Sequence, residues 1–440
     1  MLLGLVFSFF VLLISSSWAS RVNVFLNLME PLDQEVKLSF ESIDLLENGN
    51  SINLKLSKKF LSSKAPFRQL FLAGGEAPRG RYNALVLKLK EAKLNNKNLL
   101  LSTTQIKIPL RFELQKDASL SLFVFWDVKN SIKGNKFIPN FYARVQSRPL
   151  RGETVYVTCE DTDTLFAIRA DTNQVMASLG VSGIPQAVVA DSDNDRLFVV
   201  SERFRKLNVI ELSSFRKIDS FFLPLVSSPR YIVLINSNKA AITDYRSDYV
   251  ILVNLLSGGL LNSKRIGYSL SEIAYSTSND QIFISSPQNQ AVYVLTSNLT
   301  LVKTLRVGHK PRGLWIQNNR LYVADNATGT VNVFDLASEE LVGRVRSGRG
   351  AVQVFGTANR IYISNQKEGT LSLLAPGQLT IFKKIRVGKG PFLMTVCSRR
   401  GWLYVGLKGE NSLAVIDTTS EKLVGKIELG CCPFGLTVAQ

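Results

Sequence analysis

At 440 residues, with 45% hydrophobic and 20% charged side chains, the chain is ordinary globular material and too long for one ordinary domain. Its formal net charge is +18, and the excess is spread: residues 1–150 hold 21 Lys and Arg against 11 Asp and Glu, and the remainder 32 against 24. Such a balance suits anionic partners (nucleic acid, acidic polysaccharide or an anionic envelope surface), while the single histidine, His309, disfavours His-based catalysis, a His-ligated haem and a multi-His metal site.

Leu2 to Ile14 is apolar apart from Ser8, and Ser17 and Ala19 stand at the −3 and −1 positions of a signal-peptidase site. Residues 1–19 therefore read as a signal peptide cleaved before Ser20. A retained anchor is the rival reading, and the apolar run is short for a span of about 20 residues.

Residues 20–148 read as short β segments: Val22–Leu28, Val36–Leu46, Ile52–Leu56, Tyr82–Leu89, Leu99–Ile108, Leu110–Leu114, Leu120–Trp126 and Phe137–Val145. Turn signals at Asn48-Gly49-Asn50, Gly74-Gly75 and Lys133-Gly134-Asn135 separate them. That spacing predicts a small β-sandwich. The linker, Ser147 to Gly152, is short enough that the two domains should touch.

Residues 149–440 repeat. An apolar strand marker falls at Tyr156, Phe198, Ala241, Phe283, Tyr322, Tyr362 and Tyr404, and a loop marker at Pro185, Pro229, Ser271, Pro311, Ala351, Pro391 and Pro433. Both recur every ~40 residues, the period of a four-stranded propeller blade. One such sheet leaves both faces apolar, so neighbours must cover them and a ring must close. The expected fold is all-β: an N-terminal β-sandwich followed by a seven-bladed β-propeller. In each blade strand A is innermost and B, C and D run outward. The repeat starts on strand B (Val155–Thr158) and ends on strand A (Phe434–Val438), so the C-terminal strand should close the ring.

Tyr156-Val157-Thr158 and the Gly-x-x-Pro loops Gly308-His309-Lys310-Pro311 and Gly430-Cys431-Cys432-Pro433 resemble the YVTN-repeat propellers, over about 290 residues. The third and fifth loop markers depart from that pattern, with Ser271 and Ala351 in place of Pro. The resemblance implies an exported or surface protein without known catalysis, and some relatives bind single-stranded DNA. Pro78–Tyr82, Asp127–Ile132 and Phe137–Val145 are similar to a domain of unknown function in prokaryotic surface proteins. This implies an extracytoplasmic location: periplasmic, secreted or cell-surface.

Asp191-Ser192-Asp193-Asn194-Asp195 echoes a calcium loop, but Arg196 stands where that loop needs Gly, and a polar A–B turn is expected. With the Trp315/Tyr322 pair as template, Cys159 lies opposite Phe434, bringing one of Cys431 and Cys432 within reach of a disulfide. Such a bond would contribute an upper value of about 5 kcal/mol in the chain-entropy model. Cys397 belongs to the opposite face.

The D–A and B–C loops share one rim. They collect the candidate ligand-binding residues Arg203, Arg205, Arg230, Tyr245 and Arg246, then His309, Lys310 and Arg312, then Lys389, Phe392 and Lys408. Glu160, Glu202, Asp244, Glu272, Asp325 and Glu368 stand against them. A basic funnel with aromatic platforms suits an anionic polymer. The expected function is non-catalytic, an exported binding or scaffold protein whose rim takes an anionic polymer or a cell-envelope protein. A single-stranded nucleic-acid binder is the first alternative, and a lactonase-like or redox enzyme the second. No cofactor or metal is expected.

Overall fold

The computed structural model describes residues 20–30, 32–47, 49–147, 150 and 152–439. The expected signal peptide and part of the linker lie outside the described residues.

In the N-terminal unit ten strands join in one hydrogen-bonded sheet, eight of them along a single path. Its central order is Phe141–Val145, Ser119–Asp127, Ser20–Met29, Gln69–Ala77, Asn50–Leu56, Val36–Glu47 and Gly80–Leu94. Ser20–Met29 runs parallel to Ser119–Asp127 and antiparallel to Gln69–Ala77. One apolar core draws on strands from the whole path, including Val24, Leu38, Leu85 and Val124, with Trp126 buried in it.

Three sequence expectations change here. Gly74-Gly75 is not a turn but the middle of Gln69–Ala77. A Cβ on Gly74 would lie 2.8 Å from the Phe71 ring, so the glycine permits a close approach inside a strand. Leu99–Ile108 is interrupted after Leu100–Leu101, where the Thr103 hydroxyl folds the chain back on Gln105. Strand then runs unbroken over Gln105–Leu114. Phe137–Val145 splits at Ile138–Asn140, where Pro139 has no N–H to donate.

The rest of the chain forms seven four-stranded antiparallel sheets, each an A–D meander, in a β-propeller-like architecture. In the fifth the strands are Pro311–Gln317, Arg320–Asp325, Thr330–Asp335 and Leu341–Arg346. Strands B and C are buried on both faces because adjacent sheets cover them, whereas strand D alternates with solvent. Innermost strands touch in cyclic order, and the last, Pro433–Ala439, touches Pro185–Asp191 on one side and Pro391–Cys397 on the other. Strand-B hydroxyls tie sheet to sheet. Thr158 donates to Gln186 O at 2.5 Å, Thr243 to Ser271 O at 3.0 Å and Ser285 to Arg312 O at 2.5 Å.

Closure follows the phase of the repeat. Pro433–Ala439 pairs with Thr154–Cys159, with Val155 opposite Val438 and Val157 opposite Leu436. Cys159, however, lies opposite Pro433 and not Phe434. A bulge at Thr158, whose hydroxyl accepts the Gly435 N–H at 2.8 Å, absorbs one residue. The same slip pairs each loop marker with the last residue of strand B in sheets 2, 3, 5, 6 and 7. The disulfide forms between Cys159 and Cys431 across 272 residues, with Cα atoms 5.8 Å apart. Cys397 and Cys432 are free thiols.

The two units share a core at this seam. Phe25, Phe71 and Phe123 of the N-terminal unit pack with Phe166 and Ile168 of the first sheet and Leu413, Val415 and Ile427 of the seventh. Phe25 meets Phe166 edge-on at 6.0 Å. Around it, Gln69 exchanges hydrogen bonds with the Val175 backbone, and Gln146 does the same with Ser178.

Candidate ligand-binding face

The D–A and B–C loops turn tightly, and their backbone N–H groups need acceptors. Acidic side chains at the end of strand B or in the B–C turn supply them. Asp325 accepts from His309 N at 2.9 Å, Lys310 N at 3.2 Å and Ala327 N at 3.0 Å. Asp244 accepts from Ser228 and Arg246, Asp163 from Ile184, Glu368 from Arg349, Glu410 from Lys389 and Asp161 from Cys432. Burial works against ionisation of Asp325, but the backbone hydrogen bonds outweigh it and hold its carboxyl below the usual range. Acids that seem from sequence to neutralise the rim are thus turned inward: Asp244 and Asp325 are buried.

The cations behave differently. Arg203, Arg205, Arg246, Lys310 and Lys389 are exposed and form no ion pair with a described residue; Lys206, Arg349 and Lys367 are alike. Arg205 lies over the Phe222 ring at 5.1 Å. His309 is exposed beside Lys310, its backbone held by Asp325.

At the centre of this face, the residue after each loop marker rings the channel mouth. Gln186, Arg230, Glu272 and Arg312 form a polar half, and Val352, Phe392 and Phe434 an apolar half. Phe392 and Phe434 meet edge-on at 5.3 Å and pack with Val352 and Leu393 in one apolar cluster. Their burial removes them as open stacking platforms. Lys408 Nζ sits 4.4 Å from both ring centroids and 2.7 Å from Glu160 Oε1. Arg230 stacks on Tyr245 at 4.3 Å, and its Nε is 3.4 Å from Glu202 Oε2. Arg230, Tyr245, Arg312, Phe392 and Lys408 line one cavity of about 250 Å³, completed by Glu160, Tyr231, Ser271, Gln366 and Phe434. Arg203, Arg205, Arg246, His309, Lys310 and Lys389 stand outside it.

Two features of the mouth are invisible in sequence. Gln353 donates from the sixth sheet to Glu272 of the fourth at 3.2 Å, and accepts from Met394 N. Burial lifts the Glu272 carboxyl to about 8, against the pull of Gln353 and the Leu314 backbone. Cys432 Sγ lies 3.3 Å from Glu160 Oε1, and burial pushes this thiol up to about 12, far from a reactive thiolate. The Asp191–Asp195 segment forms the polar A–B connection, with Asn194 held by Asp191. Among the described residues no group of three or more His, Cys, Asp or Glu side chains is placed to hold a metal ion. No helix among them is long and apolar enough to cross a membrane.

No protein-family model matches the chain, and no curated protein matches it. Solved structures do. A protein of unknown function from Desulfotomaculum acetoxidans is similar at 16% identity and TM-score 0.58, over 65% of this chain and 99% of that one. A candidate 6-phosphogluconolactonase from Bacteroides fragilis is similar at 14% identity and TM-score 0.57, over 66% and 98%. Another from Bacteroides uniformis gives 14% and 0.56, over 65% and 99%. At such identities the likeness concerns the fold alone.

Proposed function

We propose that the protein is an exported binding protein of the YVTN-repeat propeller type that engages an anionic polymer of the cell envelope through its D–A and B–C loops. The N-terminal unit, which we read as a β-sandwich, serves as the attachment or spacing module. The observation that carries this reading is the sorting of charge on that face: carboxylates turned to loop amides, and unpaired Lys and Arg turned to solvent. The disulfide supports an oxidising compartment. An acidic polysaccharide is favoured over single-stranded nucleic acid. Base stacking needs open rings, whereas Phe392 and Phe434 are buried and Tyr245 is stacked on by Arg230.

The test is titration of the purified protein with a fluorescent polyuronate and with single-stranded DNA over a range of salt. The polyuronate should bind at low salt, with affinity falling linearly on a log–log plot. No binding of either polymer at low salt overturns the reading, and tighter binding of DNA replaces it with the nucleic-acid alternative.

The names of two structural neighbours favour a second reading, lactone hydrolysis. Hydrolysis of 6-phosphogluconolactone above its spontaneous rate would establish it, and a rate unchanged in His309→Ala would take the histidine out of the mechanism.

A further inference from the structure

Among the cations at the channel mouth, two already have carboxylate partners: Arg230 has Glu202 and Lys408 has Glu160. Arg312 has none. It lines the cavity and forms no ion pair with a described residue, and its Nε, like that of Arg230, is buried without a hydrogen-bond partner. A buried guanidinium donor left unpaired is costly, and a bound anion satisfies it. The neighbouring acid, Glu272, stays protonated at neutral pH because burial lifts it to about 8. Of the three cations that line the cavity, Arg312 is the one without a carboxylate partner among the described residues.

We propose that this cavity binds a single carboxylate-bearing sugar, one uronate residue of the anionic polymer, with its carboxylate on Arg312. The inference rests on the anionic-polymer reading above and names the monomer that the polymer presents. Charge selects the class. One unit of positive charge matches a monoanion, whereas a phosphate dianion would leave excess negative charge beside Glu160 and Glu202. Geometry agrees, because a planar guanidinium fork is complementary to a planar carboxylate. The volume of about 250 Å³ falls below the roughly 300–1,000 Å³ of drug-sized sites, as befits one sugar ring. Tyr245, Ser271 and Gln366 add uncharged hydroxyl and amide groups to the wall, suited to sugar hydroxyls. Arg246 and Lys310, exposed one and two residues from Tyr245 and Arg312, are placed to meet flanking units of the chain.

Calorimetric titration with D-glucuronate, D-glucose and glucose 6-phosphate, alongside polyglucuronate, tests this. Glucuronate should bind, glucose should not, and glucose 6-phosphate should bind at least about tenfold more weakly. Arg312→Leu should weaken glucuronate about tenfold or more, the scale of a lost charge-assisted hydrogen bond, and Arg312→Lys should restore part of it. Polyglucuronate should still bind Arg312→Leu through the outer cations, with a salt slope smaller by about one. Arg246→Glu with Lys310→Glu should do the opposite, weakening the polymer and sparing the monomer. Absence of glucuronate binding, binding unchanged in Arg312→Leu, or glucose 6-phosphate binding as tightly as glucuronate overturns the uronate pocket while leaving polymer binding standing. Monomer binding without polymer binding overturns the polymer reading instead.

Discussion

The Cys159–Cys431 bond closes a loop of 272 residues around the ring, and its removal should be the most damaging change that leaves every strand intact. In the chain-entropy model a loop of that length restricts the unfolded chain by about 5–6 kcal/mol, an upper bound because residual structure in the unfolded state reduces it. Both cysteines must be replaced. A lone Cys431→Ala change leaves Cys432 free to compete for Cys159. The double variant Cys159→Ala/Cys431→Ala also loses two buried sulfurs, each a packing loss of roughly 1 kcal/mol. Cys397 supplies the control, since it is a free thiol buried in the same core, and Cys397→Ala loses packing and one thiol hydrogen bond to Glu153 but no cross-link. Urea unfolding followed by tryptophan fluorescence reads the seam, because Trp402 pairs with Cys397 and packs on that core. The double variant should lose several kcal/mol more than Cys397→Ala. Equal midpoints for the two variants would refute the loop argument.

Gly430→Ala should destabilise the joint between the units, because Gly430 has φ +69° and a Cβ there would lie 2.0 Å from the Phe71 ring; limited proteolysis across residues 147–152 would report the loosening. Phe25→Ala, at the centre of the same joint, should cost about 3–5 kcal/mol in urea unfolding. Asp325→Ala should cost about 1–3 kcal/mol by freeing loop amides. Because the folded carboxyl is depressed, its contribution is complete above the unfolded value near pH 4 and fades as pH falls through the folded one, so Asp325→Asn should flatten the acid limb of a stability–pH curve. Glu272 has the opposite sign. The native state keeps a proton that the unfolded chain releases near pH 4, so stability falls as pH rises from about 4 to 8, and Glu272→Gln should be more stable than the parent at pH 8 but not at pH 4.

The ring was readable because two markers recur in step, and its closure because the repeat starts on strand B and stops on strand A. The choice between Cys431 and Cys432 was not readable. The bulge at Thr158 moves Pro433 opposite Cys159, and Cys432 turns away toward Glu160. Local composition misled at Gly74-Gly75, where glycine serves packing inside a strand rather than a turn. On the rim, a count of charges could not show direction. Asp244 and Asp325 occupy the same place at the end of strand B, and that recurrence was the available sign that they serve the loops. Phe392 and Phe434 likewise follow a loop marker, at the start of an innermost strand, and that position was the available sign of their burial.

The placement of these parts divides the mouth of the ring into an apolar and a polar arc. Sheets 1 and 7 carry the closing strand, the disulfide and the joint with the N-terminal unit, and together with sheet 6 they contribute the apolar residues Phe434, Phe392 and Val352 to the mouth. Sheets 2 to 5 contribute Gln186, Arg230, Glu272 and Arg312, and their loops carry Arg203, Arg205, Arg246 and Lys310. A ring closed by its own last strand has its weakest point at that seam, because only there do the paired strands come from opposite ends of the repeat array. Concentrating the covalent bond, the aromatic wedge and the apolar cluster at the seam stabilises the place most prone to open. The unpaired cations are spread wider, with Arg349 and Lys367 at sheet 6 and Lys389 at sheet 7, and the self-repulsion they raise is a cost that the contacts at the seam offset.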